Sequence, residues 1–594
     1  MENARVWTFG NDVDTDQIIA SQYIILPTLE EMKPHTFESI DPGFAAGVQP
    51  GDVVVAGENF GCGSSREQAP GVLKGLGVRA VVAKSFARIF YRNAINIGLP
   101  VVLCDGIQDA VKPGGTLGID LAGGVLEAGG KRFAATRLPA HMQGILAAGG
   151  LVASLNAGEG KAAQDGADKA DTPKAAVPQT MAEKIIARAA GVPAVHPGEI
   201  HTITLDRLMS NDGTTHMTID MYHQLKQPHL AAPEKLVFVI DHNSPADTPK
   251  TAAAHRKMRD FAREHSITFY EGKGVCHQLM MENHVCPGEF IIGADSHTCS
   301  YGALGAFGTG VGSTDFLYGM VRGQTWVMVP ETIRFELHGR LRPGVTPRDV
   351  MLSIIGDVGA DGCNYKVMEF VGPGIDAMSI DERMVLANLA VEAGAKTALM
   401  APDDKTLAYL AERGRKPTAL FKSDDDATFA AVHTYQLEDI VPVVARPDHI
   451  DDVVPATDAL GVPIDEAFLG SCNNGRIGEL RAAAAILKGR RVHPMVRFIV
   501  SPASNAVYAQ ALREGIITVL NDAGAQVVNA NCSVCWGSCQ GVIGPGEVLI
   551  STGTRNFKGR AGHKDSMVYL GSAETVAASA VAGEITTADL LGPV

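Results

Sequence analysis

Val528-Asn-Ala-Asn-Cys-Ser-Val-Cys-Trp-Gly537, taken together with the earlier stretch Leu469-Gly-Ser-Cys-Asn-Asn-Gly475, decides how this chain is read. Cys532 and Cys535 form a C-x-x-C, and Cys472 sits in a Gly-Ser-Cys turn. Thiolates favour iron–sulfur clusters or zinc, and three protein ligands where four are expected leave one metal corner open to a substrate. A lone C-x-x-C is equally a zinc half-site, a redox pair or two buried small hydrophobes.

The stretch that follows narrows the choice. Ser551-Thr-Gly-Thr-Arg-Asn-Phe-Lys-Gly-Arg560 places Arg555 and Arg560 in a glycine-containing loop shortly after the cysteines. Guanidinium forks bind carboxylates bidentately, so a metal corner and an anion clamp would lie together. These loops resemble the cluster and substrate loops of the aconitase superfamily, closest to its isopropylmalate isomerase and homoaconitase branch. The resemblance implies a [4Fe-4S] cluster on Cys472, Cys532 and Cys535, and it leaves Cys539 out of the ligand set.

Composition sets the outer bounds. The chain has 594 residues, 46% hydrophobic and 20% charged, enough for several domains with sizeable cores. No run approaches the ~18 apolar residues of a membrane span, and Met1-Glu-Asn-Ala-Arg5 lacks a signal-peptide layout, so a cytoplasmic protein is expected. A net charge of −15 argues against a nucleic-acid surface, because phosphate binding depends on an excess of Lys and Arg. The ten cysteines are scattered over a long chain, which speaks against a disulfide framework.

In order along the chain, residues 1–155 read as one α/β unit, with strand-like runs at 51–57, 78–83 and 99–104 alternating with helical stretches. Residues 156–180 read as a solvated linker, rich in Ala, Gly, Lys and Asp and without an apolar period. Met181 to Gly191 then opens an amphipathic helix as though a new protein began, and 181–594 repeats strand, glycine-rich loop and helix. The resemblance implies an aconitase-like α/β fold: a swivelling small-subunit-like domain first, then a three-part large-subunit-like region. No separate small subunit is then needed, and the order is the reverse of single-chain aconitases.

Two strand-like runs end in polar groups, Leu236 to Ile240 before Asp241-His242 and Phe290 to Gly293 before Ala294-Asp-Ser-His297. Polar groups after buried strands mark the carboxyl edge of an open α/β sheet, where such folds bind ligands. A carboxylate bonded to imidazole fixes its tautomer and favours an imidazolium able to donate a proton. A single His is more commonly structural, but here His242, His277 and His297 each have an acidic candidate partner. By resemblance, Asp241–His242 protonates the departing hydroxyl, Asp295 partners His277, and Glu369 partners His297. Ser65 and Ser296 would contact substrate carboxylate, and Asn211, where relatives often carry Gln or His, is carried over as a further contact.

The loop Asn59-Phe-Gly-Cys-Gly-Ser-Ser-Arg66 joins a strand to a helix. Taken alone it is a serine N-cap or a phosphate loop, since glycines there let backbone N–H groups converge at a helix N-terminus. The resemblance makes Ser64 the base that removes a proton next to a carboxylate, with Arg66 and backbone N–H groups stabilising the alkoxide. Gln68 stands where relatives often have His, and Thr554 is a second departure.

Together these residues describe a hydro-lyase that dehydrates and rehydrates a small hydroxy acid. A cluster protein that senses iron and binds RNA is opposed by the charge. A nucleotide enzyme using Tyr301-Gly-Ala-Leu-Gly-Ala-Phe-Gly308 lacks the Lys-Ser/Thr of a P-loop. The loop carrying Ile24, Ile25 and Leu26 sits where the superfamily reads the variable part of its substrate, and it offers no arginine. The expectation is 3-isopropylmalate, as in leucine biosynthesis, with 2,3-dimethylmalate or a methylmalate next and a tricarboxylate last. The alternative is that Lys33 or His35 turns inward to meet a further carboxylate.

Overall fold

The structure, a computed structural model, describes residues 2–592 except 21–22, 25, 27, 64–65, 122, 137–139 and 158–176. Ser64, Ser65, Ile25 and most of the expected linker therefore lie outside the described residues.

The first sheet draws all its strands from the N-terminal quarter of the chain. Glu2–Thr8 runs at its centre, with Val53–Ala56, Ala80–Ala83 and Val101–Leu103 added in parallel on one side and Thr116–Asp120, Val125–Ala128 and Lys131–Ala134 in antiparallel on the other. The valine runs Val53–Ala56 and Ala80–Ala83 are buried along their whole length, as a parallel sheet covered on both faces requires. Helices Gln68–Gly75 and Arg88–Ile97 are the crossovers.

Helix Met181–Ala190 begins and ends where its residue types demand. Thr180 and Glu183 cap each other's backbone N–H groups, and Gly191 closes the helix at φ 70°, a left-handed conformation that favours glycine. Beyond it, a five-stranded parallel sheet runs Thr268–Glu271, Leu236–Ile240, Arg207–Asn211, Phe290–Gly293, Phe307–Gly310. A second parallel sheet runs Thr397–Leu399, Val367–Val371, Thr332–His338, Ala431–Gln436.

The last sheet positions the cysteines. At its core Gln526–Val527, Arg497–Val500, Glu466–Leu469 and Val548–Ser551 are mutually parallel, so their carboxyl ends share one edge. From that edge leave the loops to Cys532, Cys472 and Arg555. The three loops, read together in the sequence, share one sheet edge in space. Among the described residues no helix is long and apolar enough to cross a membrane.

Candidate functional site

One cavity is lined by Cys472, Cys532 and Cys535 together with Arg66, Asn211, His242, His277, Asp295, Ser296, His297, Arg555, Arg560 and Ile24. The contributors come from both ends of the chain and from two sheet edges, so the cavity lies at the junction of the N-terminal unit with the rest.

The cysteine loops are shaped to hold sulfur. Gly475 has φ 88°, and a Cβ there would stand 2.5 Å from the Ser501 carbonyl. At Gly553 a Cβ would lie 3.3 Å from Cys535 Sγ, so a side chain would crowd the space beside that sulfur. Cys535 Sγ accepts the Thr554 N–H at 3.4 Å and lies 3.5 Å from Thr554 Oγ1. The neighbouring Cys532 thiol, then Arg560 and the Thr554 N–H, hold Cys535 well below the usual thiol range against burial. The same pairing with Cys535 and then burial push Cys532 up.

A single zinc holds sulfur at about 2.3 Å, which keeps its ligands close together. Among the described residues the set of three ligand atoms all within 4.8 Å of one another is Asp212, Asp241 and His242, and no cysteine trio is so tight. The acidic trio itself is occupied by hydrogen bonds. The Asp212 carboxylate accepts N–H groups from Asp241 at 2.9 Å, His242 at 2.9 Å and Asn243 at 2.8 Å, with His255 Nε2 at 3.2 Å. Cys539 does not line the cavity; its Sγ lies 3.4 Å from the His242 carbonyl.

Three histidines stand around the cavity, each on a carboxylate. His242 Nδ1 is 2.9 Å from Asp241, whose other oxygen accepts the Cys276 N–H at 2.6 Å. Burial opposes charge on His242, but Asp241, with Asp212 and Asp295 beyond it, raises its pKa to about 9. His277 Nε2 is 2.8 Å from Asp295, which also accepts Asn211 Nδ2 at 3.1 Å. Burial would raise the Asp295 carboxyl, yet His277 and His297 hold it well below the usual range.

The third pair corrects the sequence expectation. His297 Nε2 lies 3.0 Å from Glu392, not Glu369. Glu369 sits within the strand Val367–Val371, where its carboxylate accepts Ser423 Oγ at 2.5 Å and lies 3.6 Å from Arg334. Position within the strand explains the error, since a residue inside a strand points across the sheet whereas one after it reaches the edge. Glu392 also pairs with Arg555 at 2.9 Å, and Arg555 donates to Ser296 Oγ at 3.0 Å. The signal for Glu392 was a single acidic residue in the apolar stretch Leu386 to Gly394.

The two arginines of the anion loop differ. Arg555 is tied to Glu392. Arg560 is 6% exposed, and among the described residues it has no carboxylate partner; its Nε is unbonded and its guanidinium stands 5.5 Å from the Trp536 ring centroid. Trp536 in turn packs edge-on to His242 at 5.0 Å. Arg66 pairs with Asp16 and donates to the Ile19 carbonyl at 3.0 Å.

Of the expected substrate loop, Ile24 lines the cavity and Leu26 packs on the core of the N-terminal unit. Lys33 bonds the Gly75 carbonyl and Glu30, and His35 bonds Glu38 and stacks on Tyr23. Neither lines the cavity. Sequence reasoning did not find Met217, which lines the wall and takes a 3.0 Å contact from Gln68 Nε2.

The family model of the aconitase family (aconitate hydratase) matches residues 183–583, and that of the aconitase C-terminal domain matches residues 37–105. The chain is 48% identical over 410 residues, 68% of its length and 98% of the relative's, to a probable 3-isopropylmalate dehydratase large subunit of Methanothermobacter thermautotrophicus. It is 45% identical over 417 residues, 69% and 97% of the two lengths, to a probable methanogen homoaconitase large subunit of the same organism. A crystal structure of 3-isopropylmalate dehydratase from Methanocaldococcus jannaschii is 43% identical, covering 28% of this chain and 98% of that one, at a TM-score of 0.26.

Proposed function

The chain belongs to the aconitase family and is a hydro-lyase carrying its small-subunit-like and large-subunit-like parts in one polypeptide, and on that premise we propose that it interconverts 3-isopropylmalate and 2-isopropylmalate. The domain division we propose is 1–155, 156–180 and 181–594. The observation that carries the site is the meeting in one cavity of three buried cysteines with Arg560, which among the described residues has no carboxylate partner.

Cys472, Cys532 and Cys535 would hold a [4Fe-4S] cluster, the donor set and the crowded sulfur seat at Gly553 being suited to it. When bound, the cluster supplies Lewis acidity toward the substrate hydroxyl and carboxylate. Arg560 takes a substrate carboxylate bidentately, and Arg555 orients Ser296 toward the same anion. His242, protonated near neutral pH, delivers its proton to the departing hydroxyl, with Asp241 fixing the ring. Ser64 removes the carbon-bound proton; this role rests on the sequence resemblance. His277 and His297, each held on a carboxylate, are placed to exchange protons with the departing and returning water. Rehydration of the alkene at the neighbouring carbon gives the isomer.

The substrate assignment rests on Ile24, an apolar side chain on the cavity wall with Lys33 and His35 engaged elsewhere. An isopropyl group buried against it gains about 1–3 kcal/mol, whereas an unpaired carboxylate there costs several kcal/mol. The test is kcat/KM for 3-isopropylmalate, 2,3-dimethylmalate, citrate and homoaconitate on one anaerobic preparation. Preference for 3-isopropylmalate is expected, and preference for either tricarboxylate overturns the substrate.

A further inference from the structure

Arg348 occupies the second position of helix Pro347–Val358 and is 1% exposed. It does not line the cavity. Its Nη1 donates to Asn473 Oδ1 at 2.6 Å, Asn474 Oδ1 at 3.1 Å and the Thr552 carbonyl at 2.9 Å, and its Nη2 donates to the Gly553 carbonyl. Asn473 and Asn474 directly follow Cys472. Thr552 and Gly553 belong to the loop whose next residue, Thr554, donates to Cys535 Sγ. One guanidinium therefore ties together the two loops that seat sulfur on the last sheet.

Its charge is the second observation. Among the described residues Arg348 forms no ion pair, although a fully buried cation without a counter-charge costs several kcal/mol. The ionisable groups that act on it are, in order, Cys535, Asp349, Glu479 and Cys472. Asp349 is occupied by the N–H groups of Thr346 and Val443 at 2.8 and 3.0 Å, and Glu479 by Asn474 Nδ2 and the Arg476 N–H, both at 2.7 Å. Both carboxylates keep their charge when held by neutral N–H groups, and two of the candidate ligand cysteines lie within reach of the same guanidinium.

We propose that Arg348 is a positioning residue for the cluster: in the metal-free protein it fixes the Cys472 loop against the Thr552–Gly553 loop that abuts Cys535, and it places a buried positive charge near both sulfurs. This rests on the cluster reading of the three cysteines. It concerns a residue that touches neither substrate nor metal. Arg476 makes a related but weaker case, since it bonds the Cys472 carbonyl at 2.9 Å but has Glu479 3.9 Å away.

The experiment reconstitutes wild type, R348K and R348M anaerobically with iron and sulfide, then follows loss of visible cluster absorbance against a chelator. Partners that support metal ligands typically change affinity by about 10- to 100-fold. R348M is expected to lose its cluster about 100-fold faster than wild type, and R348K, which keeps charge but not the fork, about tenfold faster. The reduction potential should fall in R348M and hold in R348K, a split that a purely structural role does not give. Circular dichroism of the metal-free proteins checks folding, and if R348M does not fold, R348K decides. Loss rates within about twofold of wild type in the folded variants, or an unmoved potential in folded R348M, overturn the role of Arg348 while leaving the cysteines assigned. A wild type that takes up no cluster brings down the cysteine reading and this inference with it.

Discussion

Glu392 and His297, 95 residues apart in sequence, are joined by a 3.0 Å hydrogen bond inside the cavity wall, and the same carboxylate pairs with Arg555 at 2.9 Å. Burial opposes its charge, but Arg555 and His297 keep Glu392 below the usual carboxylate range. It thus orients an imidazole and a guanidinium at once.

Replacing that carboxylate by an amide should therefore be severe. Glu392→Gln leaves Arg555 without its counter-charge and His297 without an anionic partner, and kcat should fall by about 100-fold or more. Glu369→Gln, which disturbs contacts with Ser423, Arg334 and the Met181 N–H away from the cavity, should keep near wild-type turnover and lose about 1–2 kcal/mol of stability. Steady-state kinetics and denaturant unfolding on the two variants decide. A catalytic loss in Glu369→Gln equal to that in Glu392→Gln would return Glu369 to the site.

The contrast shows what the sequence carried. Asp241, His242, Asp295 and His297 were legible because each follows a continuous apolar run, and a strand end projects what comes next onto the ligand edge. Cys532 and Cys535 stood out as a C-x-x-C, but their joining with Cys472 came from the family resemblance and not from spacing. Glu392 was not, since its partner is chosen by how the helix Ile380–Leu389 packs on the turn Ser296–Leu304, and one sequence does not encode that pairing locally. Arg348 and Arg92 were missed for another reason. Arginine is ordinarily exposed, whereas here Arg92 is buried on Asp315 across the junction with the N-terminal unit.

The ligand assignment predicts a sharp split among the thiols. Serine at Cys472, Cys532 or Cys535 should abolish cluster absorbance in reconstituted protein, because each lines the cavity. Serine at Cys539 should leave it intact, since that thiol faces the His242 carbonyl outside the cavity. Loss of colour in Cys539→Ser, or its retention in any of the other three, removes the assignment.

Glu67 makes stability depend on pH. It lies three residues beyond Ser64, accepts the Thr314 N–H at 2.7 Å near the start of helix Ser313–Arg322, and also bonds Thr314 Oγ1. Burial raises its pKa from 4.5 to about 7; the Thr314 bonds oppose this, and Asp315 adds to it. The folded protein therefore holds a proton that the unfolded chain has released. This contribution is full below pH 4.5 and is lost as pH rises to about 7, at most about 3 kcal/mol in all. Glu67→Gln cannot titrate, so denaturant unfolding between pH 4.5 and 8 should show a weaker decline in the variant. Equal slopes for the two proteins would sink the linkage.

The substrate wall gives the last prediction. Ile24 lines the cavity, as do Gln68 and Met217, and none of the three can neutralise a carboxylate. Lys33, the nearby cation in sequence, is held on Glu30 and the Gly75 carbonyl. A third carboxylate set against the Ile24 side chain would gain no counter-charge from it, and left unpaired it would cost several kcal/mol. Ile24→Arg supplies the missing partner while removing the surface that an isopropyl group would cover. The ratio of kcat/KM for citrate over 3-isopropylmalate should rise by about 100-fold or more, since each 1.4 kcal/mol is worth about tenfold and both terms move the same way. Lys33→Ala serves as the control and should leave the ratio unchanged. If Lys33→Ala lowers the citrate rate and Ile24→Arg leaves the ratio where it was, the charge is read by Lys33, and the apolar assignment of this wall is wrong.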